Sequence, residues 1–242
     1  LIFPIFMFCM AVSCAGIQVA VSKIVAAYHG AGKKKAIRQT VKSAGIMSLI
    51  LALLSSSCVI AFSEPISRWI LKDISCRGYL VIMAIAIPFA AVHTCVGGYF
   101  YGIRHTAVPA VTQLLEQVVR VATIYLMGAM MYQKGKIDAS VAVWGLAAGE
   151  IFSCFLTWIC YRFSIRSQNG GSGSGEPIRK ILRQLWQYGG LLTANRVSVT
   201  LLQSTEMILM PVMLAKYYGD TESALSVFGI VTGIVLPVIL FP

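Results

Sequence analysis

Runs of roughly 20 apolar residues recur along this chain between short polar segments, and about 20 residues is what an α-helix needs to cross roughly 30 Å of hydrocarbon. A transmembrane barrel would instead need segments of roughly ten residues that alternate apolar and polar. No such alternation is present. Because lipid offers no partner to backbone polar groups, a helix satisfying its own amides is the remaining solution. The 242 residues are 57% hydrophobic and only 12% charged, more apolar surface than one soluble core can hide. The expected fold class is all-α, a polytopic membrane helix bundle.

Seven crossings are predicted: Leu1 to Ala26, Ala44 to Phe62, Leu80 to Tyr101, Val111 to Tyr132, Val141 to Tyr161, Gly190 to Ala215 and Leu225 to Phe241. Both ends fall inside apolar runs, so they are expected to be cuts in a longer protein. The net charge of +11 does not imply nucleic acid, because the cations cluster in the short loops, where they set topology. With the first loop inside, the inner segments hold Lys33, Lys34, Lys35, Arg38, Lys42, Arg104, Arg162, Arg166, Arg179, Lys180 and Arg183. The outer segments hold Arg68, Lys72, Arg77, Lys134, Lys136 and Lys216, so the excess places Leu1 outside. Six of the seven cysteines lie in apolar runs and read as small packing residues.

Two connections carry more than a turn. In Ser63 to Ile74, Ser63 is a suitable cap, Pro65 fits a first turn, and Ile66, Trp69, Ile70 and Ile74 share a face, which predicts an outer interfacial helix anchored by Trp69. In Pro177 to Trp186, Ile178, Ile181, Leu182 and Leu185 form a stripe with Arg179, Lys180 and Arg183 turned away. That pattern predicts a basic helix lying on the anionic inner leaflet. The preceding Gly170 to Gly175 has linker composition, that of a native loop or of an engineered junction, and marks the expected boundary between two helical lobes.

Ionisable residues at membrane depth are expensive, at about 2.5 to 3.5 kcal/mol on insertion scales, so each needs a partner, a wet cavity or an escape. Lys23 sits about a turn from the inner end of its span and can snorkel, or it lines a cavity. Arg120 lies at mid-span, on one face with Gln113, Glu116, Gln117 and Thr123. Such a stripe lines a cavity, or else Glu116 and Arg120, at i, i+4, form a structural pair. Glu150 heads a second stripe with Ser153, Cys154 and Thr157, and a network of Arg120, Glu116 and Glu150 across adjacent spans is expected. Thr193, Arg196, Thr200 and Gln203 share a face of the sixth span, with Arg196 either in the cavity or at the inner interface. Glu206 lies off that face. Glu150, Glu206 and His93 are the candidates for coupling to an ion. No HExxH, CxxC, Walker loop or histidine pair at ligand spacing occurs, so no metal site, cofactor or catalytic centre is predicted.

Three segments, GIQVAVSKIVA (Gly16 to Ala26), GYFYGIRHTAVPAVTQLLEQVVRV (Gly98 to Val121) and LSVFGIVTGIVLPVILFP at the end, resemble the polysaccharide-flippase branch of the multidrug/oligosaccharidyl-lipid/polysaccharide exporter superfamily. The resemblance implies a MATE-like architecture of two six-helix lobes around a central cavity, of which this is a partial chain. Residues 1–162 would supply helices 2 to 6 of the family fold, 163–186 a cytoplasmic linker with its amphipathic helix, and 187–242 the start of the second lobe, helices 7 and 8. It also implies a multi-pass protein of the bacterial cytoplasmic membrane that moves an undecaprenyl-pyrophosphate-linked sugar, a peptidoglycan or polysaccharide precursor, between leaflets by alternating access. The implied partners are membrane lipid, the lipid-linked saccharide and a coupling ion, proton or sodium. A guanidinium at Arg120 suits a pyrophosphate. A multidrug exporter of the same superfamily and, from another class, a membrane receptor or scaffold are the alternatives. Balanced acids and bases at mid-depth favour an anionic cargo over a cationic drug.

Overall fold

The structure, a computed structural model, describes residues 3–70, 76–132, 140–167 and 176–231. These residues are almost wholly helical: α1 (Phe3–Gly30), α2 (Lys34–Ala61), α3 (Cys76–Gly102), α4 (Ala107–Tyr132), α5 (Ser140–Ser167), α6 (Ile178–Tyr218) and α7 (Thr221–Ile230). All but α7 are long and apolar enough to cross a bilayer. Of the expected seventh crossing, Leu225 to Ile230 falls in α7, and residues 232–242 lie outside the described residues.

The turns follow from local chemistry. Gly32 (φ 69) and Arg104 (φ 63) adopt the left-handed conformation that closes α1 and α3. In each turn an amide reaches back five residues, Lys33 N to Tyr28 O at 3.0 Å and His105 N to Phe100 O at 3.0 Å, so carbonyls at the helix ends are satisfied. Gly32 adopts this conformation without strain, whereas at Arg104 a side chain must tolerate it. α2 begins ten residues before the predicted crossing at Ala44, because Ala36, Ile37, Thr40 and Val41 bury against the bundle and draw the basic segment into the helix.

α1, α2 and α3 form the centre. One apolar cluster joins Val21, Val25 and Tyr28 of α1, Ile37 and Val41 of α2, Tyr99 and Phe100 of α3, and Ile181 and Leu185 of α6. A second joins Phe6 and Cys14 to Ala52, Leu80, Met83 and Ile87. Membrane helices have little hydrophobic drive toward one another, so small residues and interhelical hydrogen bonds bring them close. Gly98 and Gly102 do this between α3 and α1: a Cβ there would stand 2.6 Å from Gln18 O and 2.7 Å from Val25 Cβ. Ser56 Oγ donates to Ala84 O at 2.6 Å, and the hydroxyls of Ser13 and Ser55 are 2.7 Å apart.

Two connections differ from expectation. The segment after α2 is helical at Ser63–Pro65 and continues as a π-turn over Ile66–Ile70, but Ser63 caps nothing: Phe62 holds the cap position with no side-chain bond, and the carbonyl of the buried Ser63 accepts the Ser67 hydroxyl at 2.8 Å. The side chain of Trp69 and the residues through Ile74 lie outside the described residues, as does the Gly170 to Gly175 linker. The predicted surface helix at Pro177 to Trp186 is instead the first quarter of α6, which runs unbroken to Tyr218. Its stripe is split: Ile181 and Leu185 are fully buried against α1, α2 and α3, whereas Ile178 and Leu182 stay exposed. Gly189 and Gly190 do not break the helix, because Gly189 packs on Gly16 of α1, where a Cβ would come within 3.6 Å of Gly16 O.

Candidate functional site

Between α1, α3, α4, α5 and α6 lies a cavity of about 440 Å³, within the range of about 300 to 1,000 Å³ that small-molecule sites occupy. Its wall takes Cys14 and Gln18 from α1, His93 and Thr94 from α3, and Gln113 and Glu116 from α4. Glu150 and Thr157 come from α5, and Arg196, Thr200 and Gln203 from α6. α1 is locally widened where it borders this space, by a π-turn over Ala11–Ala15, a feature common beside functional sites.

The α4–α5 side is a closed electrostatic unit. Gly145 and Gly149 let α5 approach α4 so closely that a Cβ on Gly149 would lie 3.3 Å from Glu116 O. That approach brings Glu116 and Glu150, 5% and 6% exposed, to one guanidinium. Arg120 Nη2 donates to Glu116 Oε1 at 2.7 Å and lies 3.6 Å from Glu150 Oε1, and Nη1 donates to Gln117 Oε1 at 3.3 Å. On the far side of Glu150, its Oε2 is 3.6 Å from His93 Nδ1. Neither of those two atoms has a hydrogen-bond partner among the described residues, nor has the buried Thr157 Oγ1. The donor atoms of His93, Glu116 and Glu150 all fall within 4.8 Å of one another. With two carboxylates sharing one guanidinium, the cluster carries one uncompensated negative charge when both carboxylates are ionised and His93 is neutral, which suits a proton or another small cation.

Of the residues singled out in the sequence, Gln113, Glu116, Glu150, Arg196, Gln203 and His93 border the cavity. Arg120 stands behind the wall, gripped by the carboxylates, and Gln117 supports it. Thr123 turns its hydroxyl back onto Val119 O at 2.8 Å. Lys23 is exposed with its ammonium 4.4 Å from the centre of the Tyr188 ring, a cation–π contact. Glu206 is exposed on α6 away from the cavity wall. Arg196 has no ion-pair partner among the described residues. Sequence reasoning passed over Gln18, Thr94 and Thr112, although Gln18 is a mid-span amide and answers to the same test as Arg120.

Comparison with known proteins gives two findings and one blank. Residues 1–126, more than half of the chain, match the family described as MatE. Stage V sporulation protein B of Bacillus subtilis (strain 168) is 24% identical over 246 residues, covering 99% of this chain and 47% of that protein. The chain therefore spans about half the length of this relative. No solved structure matches it. With the helices, the cavity between them and the family match all in agreement, this chain belongs to the MatE family of the multidrug/oligosaccharidyl-lipid/polysaccharide exporter superfamily and is a multi-pass protein of the bacterial plasma membrane.

Proposed function

We propose that the chain forms one lobe and the beginning of the second in a flippase that carries a lipid-linked, diphosphate-bearing saccharide, of the undecaprenyl-pyrophosphate type, across the membrane by alternating access. The observation that carries this reading is Arg196, a guanidinium with no ion pair among the described residues, on the wall of a cavity of about 440 Å³ between membrane-spanning helices. A planar guanidinium holds a phosphate oxygen pair bidentately, and the low dielectric around the cavity strengthens that bond. Thr200 and Gln203 continue the same wall with groups able to bond a sugar hydroxyl. The prenyl chain would remain in lipid while the head group passes, and the two lobes would rock about the site.

His93 and Glu150 supply the coupling in this reading. One proton or sodium ion neutralises the cluster, and its departure returns a charge to the cavity wall, so ion occupancy biases the wall toward or against an anionic head group. Glu150 also gives a specific reason for a second reading, a multidrug exporter. Its unpartnered carboxylate oxygen, on a residue that borders the cavity, would attract an organic cation.

Reconstitution of the full chain into vesicles with a fluorescent lipid-linked disaccharide, and separately with a cationic dye, decides between them. The flippase reading expects lipid translocation that falls at least tenfold in Arg196→Ala and partly survives in Arg196→Lys. Dye transport that depends on Glu150, with no lipid movement, would replace it with the exporter reading.

A further inference from the structure

The inner end of α6 forms, with α2, a groove of about 900 Å³ lined by Met47, Leu182, Trp186, Arg179, Lys180 and Arg183. Its position in the helix is fixed, because Ile181 and Leu185 on the opposite face are fully buried in the central cluster. Lys180 is engaged, donating to Glu176 Oε2 at 2.9 Å, and Lys33 Nζ holds Oε1 of the same carboxylate at 2.8 Å. Arg179 and Arg183 are different. They stand exposed one turn apart with no ion-pair partner among the described residues, close enough for both to reach one phosphodiester.

The chain's inner segments contain nothing else that could neutralise them. Of its nine acidic residues, Glu64, Asp73, Asp138, Asp220 and Glu222 belong to the outer side and Glu116, Glu150 and Glu206 to the spans, which leaves the occupied Glu176. The segment between α5 and α6 is QNGGSGSGEP, whose one charge is Glu176. The start of α6 adds to the demand for an anion. Pro177 at the cap makes no side-chain bond, so the amides of Ile178 and Arg179 have no acceptor within the helix, and the preceding carboxylate, Glu176, is already held by Lys33 and Lys180. Directly along the helix from these charges come Leu182 and the 69% exposed indole of Trp186, facing Met47. Paired cations beside an apolar trough that opens at membrane depth match a lipid, whose phosphate and acyl chain are joined in that order.

We infer that this groove binds one anionic phospholipid of the inner leaflet, its phosphodiester on Arg179 and Arg183 and an acyl chain along Met47, Leu182 and Trp186. The site is separate from the cavity and does not depend on what the cavity carries. A lipid seated there would tie α6 to α2 at the surface where one lobe gives way to the next.

Native mass spectrometry of the full chain released from nanodiscs holding equal parts phosphatidylglycerol and phosphatidylcholine tests it. The expected result is retention of one phosphatidylglycerol in preference to phosphatidylcholine. Retention should fall about tenfold in the Arg179→Gln, Arg183→Gln double variant and stay unchanged in Arg68→Gln at the outer end. Equal retention of the two lipids, or full retention by the double variant, would overturn the inference. So would release of the lipid by millimolar inorganic phosphate, which would reveal an ion site rather than a lipid site. Should the double variant fail to fold, Arg183→Gln alone should give a partial loss, and no loss at all counts against the site.

Discussion

The two arginines near the cavity are the same side chain in opposite circumstances. Arg120, on the α4–α5 side, is held by Glu116 at 2.7 Å and faces Glu150 at 3.6 Å, whereas Arg196, on the α6 side, borders the cavity. The first has been drawn into the fold, where it makes two buried carboxylates tolerable. The second makes no ion pair among the described residues. An intramembrane charge is thus a pointer to a site only after its partners are counted, and the arginine at the deepest position is here the structural one.

That contrast breaks most readily by measuring stability. Arg120→Met strands Glu116 and Glu150 with no cation, and removing one partner of a buried charge network typically costs about 3 to 5 kcal/mol. Arg196→Met removes an exposed charge that has no ion pair among the described residues, so a change within about 0.5 kcal/mol is expected. Thermal melting in detergent at neutral pH reads both. Adding Glu116→Gln and Glu150→Gln to Arg120→Met should recover much of the loss, because it takes away the stranded charges. Equal destabilisation by the two arginine variants would dissolve the distinction.

Packing offers the next test. A Cβ on Gly145 of α5 would sit 2.5 Å from Ile124 Cγ1 and 3.1 Å from Arg120 O, so even alanine must push α4 away and loosen the ion cluster. Overpacking of this kind costs about 1 to 3 kcal/mol. Gly190 of α6 has nothing within 4 Å of the same position, and there alanine should be neutral or stabilising by up to about 1 kcal/mol, since it favours the helix. A pair of melting curves that ranked these two in the reverse order would mean that α6, not α5, is the tightly packed wall.

Much of this was legible in the sequence, and what was not has a physical cause. Span lengths, the Gln113 to Thr123 stripe and the i, i+4 pairing of Glu116 with Arg120 are local and periodic, so a single helix displays them. The meeting of Arg120 with Glu150 needed only two neighbouring helices and was also foreseeable. His93 was named beside Glu150 as a coupling candidate, but their approach to 3.6 Å joins helices that no spacing rule connects, and Gln18 was passed over. The unbroken α6 was misread for the complementary reason. The reading ended one helix at Trp186 and began the next at Gly190, yet Gly189 sits inside one helix in close approach to Gly16, a tertiary contact that overrides local propensity.

The smallest effect concerns how the α6 wall is held at its inner end. Glu176 accepts from Lys33 and Lys180, and its amide donates to Gln39 Oε1 at 3.1 Å, so one residue joins α6 to the start of α2. The two lysine hydrogen bonds pull its carboxyl down from the usual 4.5 to about 2. A lowered folded-state value means that the clip contributes fully above pH 4.5 and loses its contribution as the pH falls toward 2. The melting difference between the native chain and Glu176→Gln should therefore be level through the neutral range and shrink below 4.5. It should also diminish with added salt, since the charges are solvated. A difference that stayed level to the bottom of the range would assign the inner end of α6 to Ile181 and Leu185 alone, and would make this wall as firmly seated as its neighbour across the cavity.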